Sequence, residues 1–210
     1  IQGSSIESSN LSPNSPYAAT KTSADHLIIS YYKTFNFPSI IARSSNNYGP
    51  YQFPEKLIPL IILNAIEGKH LPIYGNGKNV RNWLYIEDNI DAIKKILFKG
   101  KIGNIYNIGG KEEITNISLV KNICKKIDKI RPKKNKKKYE TLIRYVEDRP
   151  GHDQRYSLNS SKIKKEINWV PKTNLDCGLE LTIKWYLENE DWWETIRKFK
   201  YKGERLGKNR

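Results

Sequence analysis

Tyr17 and Lys21 stand four residues apart in the segment Ser-Pro-Tyr-Ala-Ala-Thr-Lys. On a helix that spacing puts both side chains on one face. A free phenol has a pKa of about 10 and is a weak base at neutral pH. A neighbouring ammonium favours the phenolate, which can take a proton from a substrate hydroxyl. The lysine can also hydrogen-bond a ribose. Spacing alone is weak evidence, because Tyr74 and Lys78 share it. That second pair spans Gly75 and Gly77, so it is not helical. The first opens a helix, and this context is what makes it a candidate pair.

Other residue types add to the chemistry. Arg81 offers a planar donor fork suited to phosphate oxygens, and Tyr74 offers a ring on which a base can stack. Each has a plainer alternative, a surface charge for Arg81 and a core aromatic for Tyr74. The histidines are His26, His70 and His152, and no pair has the spacing of metal ligands. His152 lies beside Arg149 in a Gly-containing loop and is the one histidine read as functional. Cys124 and Cys177 are far apart and fall on expected helices, where inert packing is the reading. No metal site is expected.

The elements that must carry these residues follow from the pattern. Ser15-Pro16 reads as an N-cap with proline at the first helical position. A helix is expected over Tyr17–Phe35, with Ala24, Leu27, Ile28, Tyr31 and Tyr32 at helical spacing. Ser39–Ala42 reads as a buried strand, followed by a loop over Ser44–Phe53. A helix is expected over Glu55–Glu67 with Gly68 at its end, then a strand at Pro72–Tyr74 and a Gly75-Asn76-Gly77 turn. Further strands are expected over Arg81–Ile86, Asn104–Ile108 and Leu142–Val146. Further helices are expected over Glu87–Phe98, from Thr115/Asn116 to about Ile130 (capped by Asn116 or Ser118), over Ser161–Ile167 and over Asn174–Glu190. Asp148–Asp153 reads as a loop, and the chain beyond Thr195 as a frayed tail. Strands alternating with helices argue an α/β fold with parallel pairing.

Composition bounds the rest. Hydrophobic residues make up 38% of 210, enough for a packed core. The longest apolar run, Leu57–Ile66, is broken by Pro59 and Asn64, so no membrane span is expected. Two cysteines give no disulfide framework and suit a reducing, cytoplasmic setting. The chain contains no methionine, even at position 1, and so reads as a portion of a larger protein. The net charge of +15 is read first as a solvated, Lys-rich surface. The alternative is a polyanionic partner, either nucleic acid or a nucleotide diphosphate. The lysine run within Arg131–Lys138 has no interleaved aromatics and no nucleic-acid motif, so no nucleic acid is expected.

Five segments then occur in order: SPYAATKTSADHL, ARSSNNYGPYQFPEKLIP, LPIYGNGKNVRNWLYIEDN, YNIGG and DRPGHDQRY. Together they make the chain, from about Ser12 to Trp185, resemble the dTDP-glucose 4,6-dehydratase family of extended short-chain dehydrogenases/reductases. The chain departs from that family in two respects. No G-x-x-G-x-x-G follows any strand, and no Thr-Asp-Glu precedes Tyr17; Glu7 lies in a different context. The resemblance is therefore to the C-terminal portion. It implies the end of a Rossmann-type parallel-sheet domain (1–70, with a return near 80–110), a smaller mixed α/β substrate domain (71–195) and a tail (196–210).

The resemblance also implies chemistry: NAD-dependent, redox-neutral dehydration of a nucleotide-activated hexose, dTDP-glucose being the substrate, by a homodimer. It implies Tyr17 as base for the sugar 4-hydroxyl, with Lys21 as its partner and ribose contact, and Asn47 near the nicotinamide. It puts Asn46, Lys56, Leu57, Arg81 and Asn116 on the sugar nucleotide, and Pro72, Ile73 and Tyr74 around the nucleobase. Asp148, Arg149, Pro150, Gly151 and His152 would close over it. The dimer face would use the Tyr17 helix and the Glu55–Glu67 helix. Related epimerases and decarboxylases share part of the pattern; EKLIP and DRPGHD favour the dehydratase.

Overall fold

A computed structural model describes residues 3–201 of the chain. It is α/β with parallel strand pairs, as the alternation of elements implies. The chain forms two compact units, each assembled from three stretches. The first takes residues up to Asn47, then Asn79–Ile114 and Asp148–Leu175; the second takes Tyr48–Lys78, Thr115–Glu147 and the stretch from Asp176. The return near 80–110 thus joins the N-terminal part, and 148–175 joins it too, whereas 48–70 packs in the other unit.

In the first unit, helix α1 (Pro16–Phe35) starts where Ser15 Oγ accepts from the Ala18 N–H at 3.2 Å, with Pro16 at its first position. It ends at Asn36, which adopts the left-handed conformation at φ 53°. None of its residues is buried; Leu27 is 59% and Phe35 70% exposed. Strand β1 (Ile41–Ser44) pairs in parallel with β5 (Ile105–Ile108) in the register Ile41↔Ile105. Strand β4 (Val80–Tyr85) pairs in parallel with the two-residue β8 (Arg155–Tyr156), Arg81 opposite Tyr156. The short strands β2 (Asn46–Tyr48) and β6 (Glu113–Thr115) lie in the same sheet as β4. Helix α3 (Ile86–Lys99) and helix α5 (Ser161–Ile167) complete the unit. Leu84, Ala92, Ile96, Tyr106, Ile108, Ile163, Ile167 and Trp169 form its core. Asp88 is buried and accepts the Lys172 and Thr173 N–H groups at 3.1 and 2.8 Å, fixing the chain after α5.

The second unit is built on α2 (Leu57–Ile66) and α4 (Asn116–Ile130), which pack together. Every residue from Ile58 to Ala65 is buried, the signature of a helix apolar all round. Pro59 is tolerated because the first turn needs no amide donor. Buried on all sides, α2 presents no free apolar face, contrary to its implied place in a dimer interface. Helix α4 is capped by Thr115, whose Oγ1 accepts from the Ser118 N–H at 3.2 Å, rather than by Asn116 or Ser118. Strand β3 (Leu71–Tyr74) pairs in parallel with β7 (Ile143–Val146), which follows a 3₁₀ turn over Tyr139–Leu142.

Helix α6 (Leu175–Glu188) leads to α7 (Glu190–Phe199), where the sequence suggested fraying. Trp193 and Arg197, one turn apart on α7, are both buried. Trp193 Nε1 donates to the Tyr186 carbonyl at 2.7 Å, and Arg197 bonds Glu67 and Asn64. A basic, aromatic stretch is therefore helical because its partners lie elsewhere in the chain. The part of the expected tail from 202 onward lies outside the described residues. Cys124 is buried, which pushes its thiol up to about 12, whereas Cys177 is exposed on α6 rather than packed. Among the described residues no helix is long and apolar enough to cross a membrane, and no three His, Cys, Asp or Glu side chains gather to hold a metal.

Candidate active site

In the first unit the structure gathers three predicted pieces. Tyr17 and Lys21 lie in the first two turns of α1, both exposed, with Tyr17 at 75%. The Asp148–Asp153 loop packs against the entry to this helix. Gly151 has φ +64°, and a Cβ there would lie 2.6 Å from the Asn14 carbonyl oxygen, so the approach requires glycine. Asn14 Nδ2 also donates to Asp153 Oδ1 at 3.2 Å.

Arg81 is the third piece. It is 7% exposed, and its Nη2 donates to the Asp153 carbonyl at 2.7 Å and its Nη1 to the Val80 carbonyl at 2.8 Å. No carboxylate lies within ion-pairing distance of it among the described residues. Burial pulls its pKa below the ordinary value, opposed by nearby Asp153 and reinforced by Arg149. A buried guanidinium that bonds only carbonyls retains a charge that an anion would compensate.

His152 has a nearly buried side chain whose Nδ1 lies 2.7 Å from Asp148 Oδ1. Burial lowers the His152 pKa, and the Asp148 hydrogen bond offsets part of the fall. The same bond holds the Asp148 carboxyl below its usual value, helped by the Arg149 N–H at 2.8 Å. At neutral pH the imidazole is therefore neutral and donates from Nδ1. The folded pKa lies below the unfolded value of about 6.5, so this group's share of stability is present above that pH and is lost as pH falls. Asp148→Asn removes the charge that favours the imidazolium and will lower the His152 pKa further. An NMR titration of the His152 ring checks this; an unchanged or higher midpoint would show that the pair does not form in solution.

The sequence missed two neighbours. Tyr156 stands opposite Arg81 in the β4–β8 ladder, which places the two side chains on one face. Burial pushes the Tyr156 phenol up, nearby Arg43 pulls it back, and Tyr17, Asp153 and Asp25 are close enough to add to the rise. Arg43 Nε donates to Asp25 Oδ2 of α1 at 2.7 Å. The only sequence signal was Tyr156 closing the DRPGHDQRY segment; two residues are too few for period-2 alternation. Glu7 is structural, its Oε1 accepting from the Asn107 N–H at 2.9 Å. Asn46 and Asn47 are half-buried on β2, and Asn46 Oδ1 is buried with no hydrogen-bond donor among the described residues.

The second unit carries the remaining candidates. Pro72 and Tyr74 are half-buried and alternate with Ile73, which is 1% exposed in the core. Of the three residues assigned to a nucleobase pocket, Ile73 therefore offers no free side chain. Gly75 and Gly77 both have positive φ, and a Cβ on Gly77 would meet Ile73 Cγ2 at 2.6 Å. That tight turn lets the Gly77 carbonyl accept from the Ile117 N–H at 3.0 Å, bringing the start of α4 beside the end of β3. Asn116, the first residue of α4, has a buried Oδ1 with no donor among the described residues, so it can accept from a base N–H or a sugar hydroxyl. Lys56 is exposed and pairs with Glu55 at 2.6 Å, and Leu57 is half-buried at the start of α2.

Comparison with known proteins gives this geometry a family. The GDP-mannose 4,6 dehydratase family model matches residues 2–182. A dTDP-glucose 4,6-dehydratase of Escherichia coli is 51% identical over 203 residues, covering 96% of this chain and 56% of its own. The dTDP-glucose 4,6-dehydratase of Bacillus anthracis, solved in complex with NAD, superposes with a TM-score of 0.85 at 47% identity, over 93% of this chain and 59% of that one. DesIV, the same enzyme from Streptomyces venezuelae with NAD and TYD bound, superposes with a TM-score of 0.86 at 43% identity, over 93% and 58%. The chain thus spans little more than half the length of these relatives, and their parallel-stranded fold is the one seen here. A family match over residues 2–182, most of the chain and parts of both units, means that the chain belongs to the GDP-mannose 4,6 dehydratase family.

Proposed function

We propose that the chain is the C-terminal portion of an NAD-dependent dehydratase that converts dTDP-glucose to its 4-keto-6-deoxy product and water. The observation that carries this is Arg81, a buried guanidinium with no carboxylate partner among the described residues, bonded to the Asp148–Asp153 loop that packs on the entry to the Tyr17 helix. It calls for an anion such as a diphosphate close to a potential base.

The donor set suits both ligands. Tyr17 and Lys21 present a phenol and an ammonium one turn apart, open to solvent, and can hold the nicotinamide ribose with Asn47 beside the ring. When bound, NAD supplies the hydride acceptor and donor that make the dehydration redox-neutral. Tyr17 takes the proton of the sugar 4-hydroxyl, and Lys21 stabilises the phenolate. In the first unit Arg81 and Arg149 are the contacts for a diphosphate; in the second, Lys56 and Leu57 are sugar-nucleotide contacts by family resemblance. Asn46 and Asn116 use their unmatched amide oxygens on sugar and nucleoside donors. Tyr74 and Pro72 flank the base, and the segment Asp148, Arg149, Pro150, Gly151 and His152 covers the nucleotide. In domain terms, the first unit completes the cofactor-binding domain and the second holds much of the sugar-nucleotide site. A homodimer through α1 accords with its exposed apolar residues, such as Leu27 and Phe35, and a cytoplasmic setting with two cysteines that form no disulfide.

The test is product analysis with a protein joining this chain to the N-terminal half that its relatives carry. Incubation with dTDP-glucose is expected to give a product lighter by one water that absorbs in alkali as a 4-keto sugar. An isomeric product that keeps its C6 oxygen would identify an epimerase instead, and carbon dioxide released from a nucleotide hexuronate, with dTDP-glucose left unchanged, would identify a decarboxylase.

A further inference from the structure

Lys21 has a carboxylate neighbour on its own helix. Asp25 follows it by four residues, the spacing at which side chains meet on a helix surface. An ammonium engaged by Asp25 would be diverted from a phenol and a ribose. In the structure Asp25 is already taken. Arg43 Nε, from β1, donates to Asp25 Oδ2 at 2.7 Å, and the two side chains are only 16% and 20% exposed. Arg43 Nη1 also donates to the Glu7 carbonyl at 3.2 Å, which anchors the guanidinium from a second side. Among the described residues, Lys21 has no carboxylate partner.

The pair also sits where the position of α1 has to be set. The helix buries none of its residues, so apolar packing within the unit does little to hold it. Three specific contacts pin it instead. Its entry is held by the Asn14–Asp153 bond, and its last turn by Tyr32, whose ring packs so closely on Gly103 that a Cβ there would lie 2.3 Å away. Its middle is held by Asp25–Arg43.

We infer that Arg43 is a positioning residue that sequesters Asp25, leaving the Lys21 ammonium uncommitted for the dyad with Tyr17. The inference rests on the role proposed above for Lys21. A guanidinium can do this where an exposed lysine cannot, because its fork bonds Asp25 and the Glu7 carbonyl together. The order Lys21 then Asp25 is also the weaker orientation of a helical ion pair, so the partly buried Arg43 wins the carboxylate.

The experiment separates sequestration from simple tethering. Reductive methylation of the 210-residue chain, followed at Lys21 by peptide mass spectrometry, reports how free that amine is. Arg43→Gln releases Asp25 to Lys21 and is expected to slow methylation there by about twofold, the scale of one helical ion pair. Adding Asp25→Asn removes the competitor and should restore the original rate. In the joined dehydratase, kcat should fall in Arg43→Gln and recover in the double variant, with KM for the sugar nucleotide little changed. A pure tether predicts the reverse, since both variants lose the same bond and the double variant recovers nothing. If Arg43→Gln does not fold, as judged by circular dichroism, Arg43→Lys takes its place; it keeps a charge near Asp25 and should give a smaller change of the same sign. An unchanged or faster Lys21 rate in the single variant, or no recovery in the double, overturns the inference. The methylation result stands independently of catalysis, so a joined protein that proves not to be a dehydratase would refute the proposed function and leave this test intact.

Discussion

Tyr17→Phe, in a protein joining this chain to the N-terminal half of its relatives, will lower kcat by about 10²- to 10⁴-fold, the usual cost of removing a general base. Sugar-nucleotide affinity should hardly move. The phenol is exposed on the first turn of α1, so its removal leaves no cavity and breaks no packing. In the role proposed for it, its contribution is made when the proton leaves the substrate hydroxyl, not when the substrate binds, and such groups act on kcat rather than on ground-state affinity. Steady-state kinetics together with calorimetric titration of the nucleoside diphosphate separates the two. Near-normal turnover would remove Tyr17 from the mechanism.

Arg81→Ala is expected to act in the opposite sense, on binding. A charge-assisted hydrogen bond contributes about 1.5–3 kcal/mol, and about 1.4 kcal/mol is a tenfold change in affinity. Losing the fork should therefore weaken the nucleotide sugar by roughly tenfold or more. Arg81→Lys should recover only part, because an ammonium is a compact point charge without the rigid planar fork of parallel donors. The substitution also deletes the bonds to the Asp153 and Val80 carbonyls, so the loop could loosen. The His152 titration serves as the control: an unchanged midpoint in Arg81→Lys would show the loop intact. Unchanged diphosphate affinity in Arg81→Ala would make Arg81 a structural residue that serves only to hold the loop.

Local pattern was enough for the elements with many repeats of their own period. Helix α1 was legible from Ser15, Pro16 and twenty residues of helical spacing, and α4 from an apolar stripe that the structure buries as Leu119, Val120, Ile123, Cys124 and Ile127. The order of the motif segments was enough for the family, because each segment carries several residues of fixed type and spacing. What the sequence could not tell was whether the apolar stripe of α1 is covered. The apolar stripe on α1 reads as a core-facing side, yet it buries nothing, whereas α2, apolar all round, buries nearly everything. Periodicity reports which residues share a face, not whether anything packs against that face.

Strands β2, β6 and β8, two or three residues long, were invisible for a related reason: so short an element has no period, and only its neighbour in the sheet makes it a strand. The contacts that turn motifs into a site also reach far along the chain. Asn14 meets Asp153 across 139 residues, Arg81 meets the Asp153 carbonyl across 72, and Arg43 meets Asp25 across 18. Residue type announces that an arginine can bind a carbonyl, a carboxylate or a phosphate. Which of these it meets depends on the tertiary fold, because a hydrogen bond needs its partner within about 3 Å, and only packing brings distant segments that close.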